Sequence, residues 1–524
     1  MRATRRAYGR RIGIVVAASF ASAGTVRAQD TTGTLTLESV VRITLARGPD
    51  ILLARSRVAQ SRGALDVARA AFDVTTSAYV LGARDRAPIV TPTVAAETTS
   101  TTASYGLGAQ RRLGSGIVIK PQVDFKRVTL GGIGVADGPG LATASLSVTA
   151  PLQRGRGGGV VGAVVAAARI ETDAARADLR QTAAGTALDA ITAYWGYQAA
   201  AARTEARRVS EARAARLLED TRALVRADER PASDLTQLEA NVASKAAARL
   251  DAAQQLVEAR HRLALAMGLG AREAAALGGP ATPFPEPAPA DTASGRGDGP
   301  AADAAAVADA LGTRADVSAA RQRRAASQRL ASGASSELRP RVDLSVQVGY
   351  AGIDGGRALD RPVSAFYRNV AGPSASVQLS YELPWRNSEA RGRLVQALVA
   401  DEQSAIALGT LERTVASNVA VAIAGVASSA AQCERAGQAV TLYARSVENE
   451  QQRFRLGAAT LFDVILAEDA LTTARLAQAD ARQRYAVALA RRQFEAGRLV
   501  ADVAGELRTD PDAAWLLGGT ATRR

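Results

Sequence analysis

The chain has 524 residues, room for two or more domains, yet aromatics make up only 4% and alanine dominates, which suits closely approaching helices better than one large globular core. The net charge of +14 is carried almost entirely by arginine, since Lys120, Lys126 and Lys245 are the only lysines, and the arginines are spread beside Asp and Glu rather than clustered with aromatics, which excludes a nucleic-acid partner. His261 and Cys433 are the sole members of their kinds, and no metal-ligand cluster, Walker loop or nucleophile elbow is present, so no catalysis, cofactor or metal is expected.

The first segment, 1–28, reads as a signal peptide. Arg2, Arg5, Arg6, Arg10 and Arg11 form a charged region, an apolar run follows, and Val26-Arg27-Ala28 is a small-residue cleavage site that makes Gln29 the mature start. The protein is expected to leave the cytoplasm. Beyond this signal no stretch reaches the roughly 18 uninterrupted apolar residues of a membrane helix. Any membrane crossing must then be made by strands.

Six stretches alternate as half-apolar strands do. They are Val74 to Arg84 and Ser104 to Leu113, the two weakest, then Ile117 to Val128, Leu141 to Pro151, Val342 to Tyr350 and Ser374 to Trp385. Period alone fits a soluble half-buried sheet equally well. Strand lengths near the 9–11 residues that cross a bilayer, together with export, favour membrane strands. In lipid an open edge leaves backbone groups unpaired, and two to six strands from one chain cannot close a pore, so the chain must oligomerise. Trp385, Tyr381 and Tyr350 would then sit at the membrane interfaces.

Between and after the strands the pattern is helical. Gly157 to Arg226 and Ser388 to Arg455 read as struts of about 70 residues, roughly 100 Å at 1.5 Å per residue. Leu35 to Phe72 with Asp234 to Gly270, and Ala302 to Leu338 with Asp463 to Leu499, are half-length pieces that would stack end to end into columns of similar length. Ala467, Ala470, Ala474, Ala477 and Ala481 recur at spacings of three and four, the pattern of a close helix seam.

Each strut ends at a turn, and the two turns are related. Arg455 lies eight residues before Asp463, and Arg226 eight before Asp234. This duplication predicts two repeats, 29–270 and 302–500, separated by a solvated Pro/Ala/Gly-rich linker at 271–301 and followed by a tail at 501–524. Asp50 to Pro151 is 33 residues longer than the matching span from Asp316 to Pro384, which places an extra hairpin around Leu113-Gly114-Ser115-Gly116. Asp463 and Asp234 open helices and can cap them; Arg455 and Arg226 can complement helix C-termini or pair with tip acids; Gly457 can supply a left-handed turn.

Leu35-Thr36-Leu37-Glu38, Ala46-Arg47-Gly48-Pro49-Asp50, Ala150-Pro151-Leu152-Gln153-Arg154-Gly155, Ala193-Tyr194-Trp195 and the Phe454 to Ala467 tip, in this order and duplicated, resemble the TolC family of outer-membrane efflux proteins. The resemblance spans nearly all of the mature chain. It implies a mainly α fold with a transmembrane β-barrel: a homotrimer with a 12-stranded barrel in the outer membrane and a 12-helix tunnel in the periplasm. It also implies a periplasmic adaptor and an inner-membrane transporter as partners, in tripartite efflux or type I secretion. On this basis 12 strands are preferred over 18, with the excess hairpin assigned to an extension. Asp463, Asp234, Arg455 and Arg226 become candidates for the periplasmic entrance, and Leu456, Gly457, Ala458 and Thr460 for adaptor contact. Where well-known members carry a second tip acid, this chain has Leu466, so a double acidic ring is not expected. The reading from a different class is an exported helical scaffold or adhesin without a pore.

Overall fold

The computed structural model describes residues 34–90, 95–131, 140–228, 230–287, 299–354, 371–503 and 506–509. The signal segment lies outside them. Thr36 caps α1 (Leu37–Arg47) by accepting from Ser39 N at 3.3 Å, and Gly48 separates it from α2 (Pro49–Arg69), where Pro49 takes the first turn. The expected Leu35 to Phe72 helix is therefore two helices, as proline cannot continue the preceding one. Strands β1 (Thr75–Val90), β2 (Ala95–Arg112), β3 (Val118–Gly131) and β4 (Gly140–Pro151) follow. After a short turn, α3 (Gly158–Val161), come α4 (Ala163–Arg226), α5 (Ser233–Ala266) and α6 (Ala271–Ala276). The second half holds α7 (Gly299–Thr313), α8 (Ala315–Ser336), β5 (Arg341–Asp354), β6 (Ala371–Glu382), α9 (Ser388–Arg455), α10 (Leu461–Glu495) and the small hairpin β7 (Val500–Val503) and β8 (Glu506–Thr509).

The helices form a wall of four columns. At 64 and 68 residues, α4 and α9 run about 100 Å each. Each of the other two columns is built from two shorter helices: α2 and α5 both flank α4 on one side, while α8 and α10 lie between α4 and α9. The joints between stacked pieces are matched. At Gly268, φ 72°, the chain leaves α5 so close to Arg47 that an added Cβ would meet its carbonyl at 2.7 Å. Gly497, φ 70°, leaves α10 with the same tight approach to Arg314, 3.0 Å from its backbone N. Alanines make the wall thin: Ala167, Ala174, Ala177, Ala183, Ala187 and Ala190 of α4 are all buried. The α10 seam is narrower than expected. Ala474 and Ala481 are buried, but Ala477 is exposed, and Leu471 and Ala479 carry the contact instead.

The main core lies at the level of the joints, around Tyr194, Trp195 and Tyr485. It overturns the expectation of a solvated linker for the described part, 271–287. There Leu35 N donates to Gly279 O at 2.9 Å, Thr282 N donates to the Tyr194 hydroxyl at 2.9 Å, and Phe284 stacks on Trp195 with ring centroids 5.4 Å apart. Prolines remove backbone donors without preventing packing, and one aromatic gives this segment an anchor. The start of the expected tail is likewise ordered, as Val500 and Leu507 of the β7–β8 hairpin pack on the same core.

Among the described residues the six long strands form one antiparallel sheet in the order β1-β2-β3-β4-β5-β6. The excess hairpin is part of this ladder, because every strand is hydrogen-bonded to the next. Register carries one apolar face across the sheet. Val80 opposes Tyr105, Tyr105 opposes Phe125, Phe125 opposes Ala142, and farther along Leu146 opposes Val348 and Val348 opposes Ala375. That face is open: Val80 is 88% exposed, Leu107 67% and Val377 72%. The other face is polar, with Lys120, Gln122 and Asp124 of β3 beside Ser145 and Thr143 of β4. On it the Tyr79 hydroxyl donates to Asp124 Oδ1 at 2.7 Å.

Candidate functional site at the two helical tips

The far end of the wall from the sheet is where α4 turns into α5 and α9 into α10. The C-terminal tip closes as a left-handed glycine turn: Gly457 has φ 75°, Gly457 N donates to Phe454 O at 3.1 Å and Ala458 N to Arg453 O at 2.8 Å. Thr460 then caps α10. Its Oγ1 accepts from Asp463 N at 3.3 Å, while Asp463 Oδ2 accepts from Thr460 N at 2.8 Å and from the Thr460 hydroxyl at 2.7 Å. These bonds from Thr460, side chain first and then backbone, hold the Asp463 carboxyl below the ordinary aspartate range, with Arg453 adding a weaker pull.

The first tip is built differently at the same positions. Asp228 stands where Gly457 stands, two residues past the arginine, and takes the left-handed conformation itself at φ 58°. Short polar residues tolerate this region better than branched ones. Ala232 stands at the capping position of α5 and supplies no side-chain cap, and Asp234 occupies the first turn. The turn is held by charge instead: Arg222 bridges Glu219 at 2.6 Å on its own helix and Glu239 at 2.9 Å on α5.

The tips are joined to one another. Leu218 and Leu238 from the first pack with Phe454, Leu461 and Val464 from the second, and the Arg230 guanidinium lies 4.4 Å over the Phe454 ring. Nothing in the sequence could pair Arg230 with an aromatic 224 positions away. Arg226 donates from Nε to Arg222 O at 3.3 Å, so it serves its own helix end, and Arg455 is exposed; among the described residues neither pairs with a tip acid. Leu456, Gly457, Ala458 and Thr460 are exposed as a group, Leu456 at 82%. Phe462 and Leu466 extend that exposed apolar surface and escaped the sequence reading, which treated position 466 only as a missing acid.

Just inside the tips the wall contains a polar layer. Glu468 is buried and accepts from Gln451 Nε2 at 3.0 Å; Thr472 donates to Ser210 at 3.1 Å; Lys245 pairs with Asp469. Burial pushes the Glu468 carboxyl above its ordinary value, and Arg213, the Gln451 bond and Lys245 partly offset that. At the opposite end of the wall, Tyr381 and Trp385 lie where the sheet meets the helices, while Tyr350 lies eight residues farther out along β5 than Val342, the partner of Tyr381. Trp385 is 98% exposed.

Residues 306–495 match the family described as outer membrane efflux protein. The matched segment lies within the second half of the chain, from α7 to the end of α10. Among curated protein sequences none matches. Solved structures with the same fold include the outer membrane protein VceC of Vibrio cholerae, 18% identical over 88% of this chain and 96% of that one, TM-score 0.63. The Campylobacter jejuni outer membrane channel CmeC is 14% identical over 88% and 85%, TM-score 0.62, and the open-state Neisseria gonorrhoeae channel MtrE is 17% identical over 91% and 93%, TM-score 0.60. The family is one of channels and not an enzyme class.

Proposed function

We propose that three copies of this chain form the outer-membrane exit duct of a tripartite efflux or type I secretion system, passively conducting substrate delivered by an inner-membrane transporter through a periplasmic adaptor. The observation that carries this reading is the distribution of exposed apolar side chains. On the sheet most of them occupy one face, as lipid contact requires, with Tyr79, Leu81 and Ile353 as exceptions on the more polar face that is left for a lumen. On the wall most of them fall on the two outer columns, at Leu53, Val67 and Leu265 on one side and Ile406, Val421 and Leu442 on the other, while Val164, Leu330, Phe462 and Leu466 lie on the inner two. A single copy would leave both stripes in water; neighbouring copies would bury them.

Repeats at 29–270 and 302–500 would each supply two columns. Tyr350 and the Tyr381–Trp385 pair would mark two interfacial belts about 20 Å apart in height, from a rise of about 3.3 Å per residue and a tilt near 40°. Leu456, Gly457, Ala458 and Thr460, with Phe462 and Leu466, would meet the adaptor, and Asp463 and Asp234 would lie nearest the entrance, with Arg455 and Arg226 beside them. Purified protein should migrate as a heat-modifiable trimer and conduct ions in planar bilayers. A protein that stays soluble without detergent and conducts nothing would overturn the duct in favour of an exported scaffold.

A further inference from the structure

The sheet has six strands per chain, and we infer that its two free edges, β1 and β6, pair with the edges of neighbouring copies to close a barrel of 18 strands rather than 12. The inference rests on the threefold duct proposed above and adds the edge that each copy offers the next.

Three observations converge. The first is continuity: β1 and β2 share the hydrogen-bond ladder of the other four strands, and Ala78, Val80, Tyr105 and Leu107 continue their apolar face as far as Arg84 of β1. Were this hairpin an extension outside the membrane, Val80 and Leu107 would face water; in the barrel wall they face lipid. The Tyr79 hydroxyl bond to Asp124 ties β1 to β3 across the lumen-side face, so the hairpin is held within the sheet by side chains as well as backbone.

The second is the state of the edges. Side chains along β1 and β6 are exposed almost throughout, whereas β3 and β4 are mostly half-buried, and among the described residues neither edge pairs with another strand. Unpaired backbone groups in hydrocarbon cost several kcal/mol each, in round numbers. β1 leaves the helical wall and β6 returns to it, so β1 of one copy beside β6 of the next is antiparallel, as an even-stranded membrane barrel requires.

The third is fit to the wall. Strands spaced about 4.8 Å and tilted near 40° occupy about 38 Å of circumference for six but only about 25 Å for four. Four helix columns about 9 Å apart occupy about 36 Å. Six strands therefore continue the wall at its own width, and the closed barrel would have a backbone diameter of about 36 Å, against about 24 Å for 12 strands.

The experiment is disulfide trapping in outer membranes, in full-length protein carrying Cys433→Ser. Ser77→Cys on β1 is combined in turn with Ser374→Cys, Ser376→Cys, Gln378→Cys and Ser380→Cys on β6, because the register between copies is open. Gln122→Cys on β3 is combined with the same set. The expected result is a reducible ladder ending at a trimer for at least one β1–β6 combination and none for β3. A trimer ladder from β3 alone would mean that β1 and β2 peel away, overturning the 18 strands while leaving the threefold duct standing. A ladder ending at a dimer would overturn both. Without any ladder, electron cryomicroscopy of the wild-type particle decides: a barrel near 36 Å across supports the proposal and one near 24 Å overturns it.

Discussion

The two tips do the same job of reversing a long helix with different physics, and the difference shows that one kind of turn can be held by two unlike sets of contacts. The C-terminal tip is local and neutral: a glycine turn, a reciprocal threonine–aspartate cap, and an exposed apolar rim at Leu456, Phe462 and Leu466. The first tip is strained and charged, with Asp228 forced left-handed, no side-chain cap at Ala232, and Arg222 bridging to Glu239. Only the first depends on distant ion pairs to hold its turn. Only the second carries an exposed apolar rim.

The largest perturbation should come from what the tips share. Phe454→Ala removes the ring between Leu218, Leu238 and Arg230 and should cost about 3–5 kcal/mol locally. Hydrogen exchange should then rise around 218–238 and 454–464 together; protection retained in the first tip would mean that the two are independent. Next comes the turn itself. Gly457→Ala puts a Cβ into open space, so only backbone strain opposes it, about 1–2 kcal/mol, whereas Asp228→Gly should stabilise its own tip by less than about 1 kcal/mol. Equal and opposite shifts would show that the aspartate gains nothing from its side chain.

Thr460→Ala should cost about 1 kcal/mol through the lost cap. It should also remove a pH response. Because the folded-state pKa of Asp463 is depressed, its contribution is present above the unfolded value near 3.8 and lost as pH falls through the lower folded value. Glu468 has the opposite sign: its raised folded pKa favours the fold at acid pH, and that contribution is lost as pH rises through the folded value. Melting profiles of Thr460→Ala and Glu468→Gln should therefore diverge in opposite directions. In planar bilayers, Asp463→Ala should weaken block by multivalent cations if the carboxylate lines the entrance, and unchanged block would leave it as a cap alone. The smallest effect is expected for Arg222→Ala, whose exposed ion pairs should matter only at low salt, measured as salt-dependent exchange in the first tip.

The long helices were legible because their signals are local. Ser388–Arg455 has the bounds read from the sequence, and the pairing of half-length pieces into columns follows from length alone. The Thr460–Asp463 cap was half visible as an acid opening a helix. All six long strands fall on stretches that alternate in the sequence, but β1 is among the weakest signals because Tyr79 and Leu81 fall on its polar face, and the Asp124 acceptor that Tyr79 finds there lies on a strand 45 residues away. The packed segment after α5 was hidden for a similar reason. Its prolines and alanines are read locally, but Phe284 finds Trp195 only in three dimensions. Arg230 over Phe454 is the same case at the tip.

The polar layer around Glu468 bears on how such a wall could open. A slide of α10 by one turn along α9, about 5.4 Å, would strip the buried carboxyl of Gln451 and carry Thr472 away from Ser210. Neighbouring columns are thus keyed at one height, as cogs are. Beyond that layer the α9–α10 turn carries little but the shared apolar cluster around Phe454. If the proposed duct widens near Asp463, a swing of the tips about Glu468 as a fulcrum would spare the columns above it any lengthwise shift.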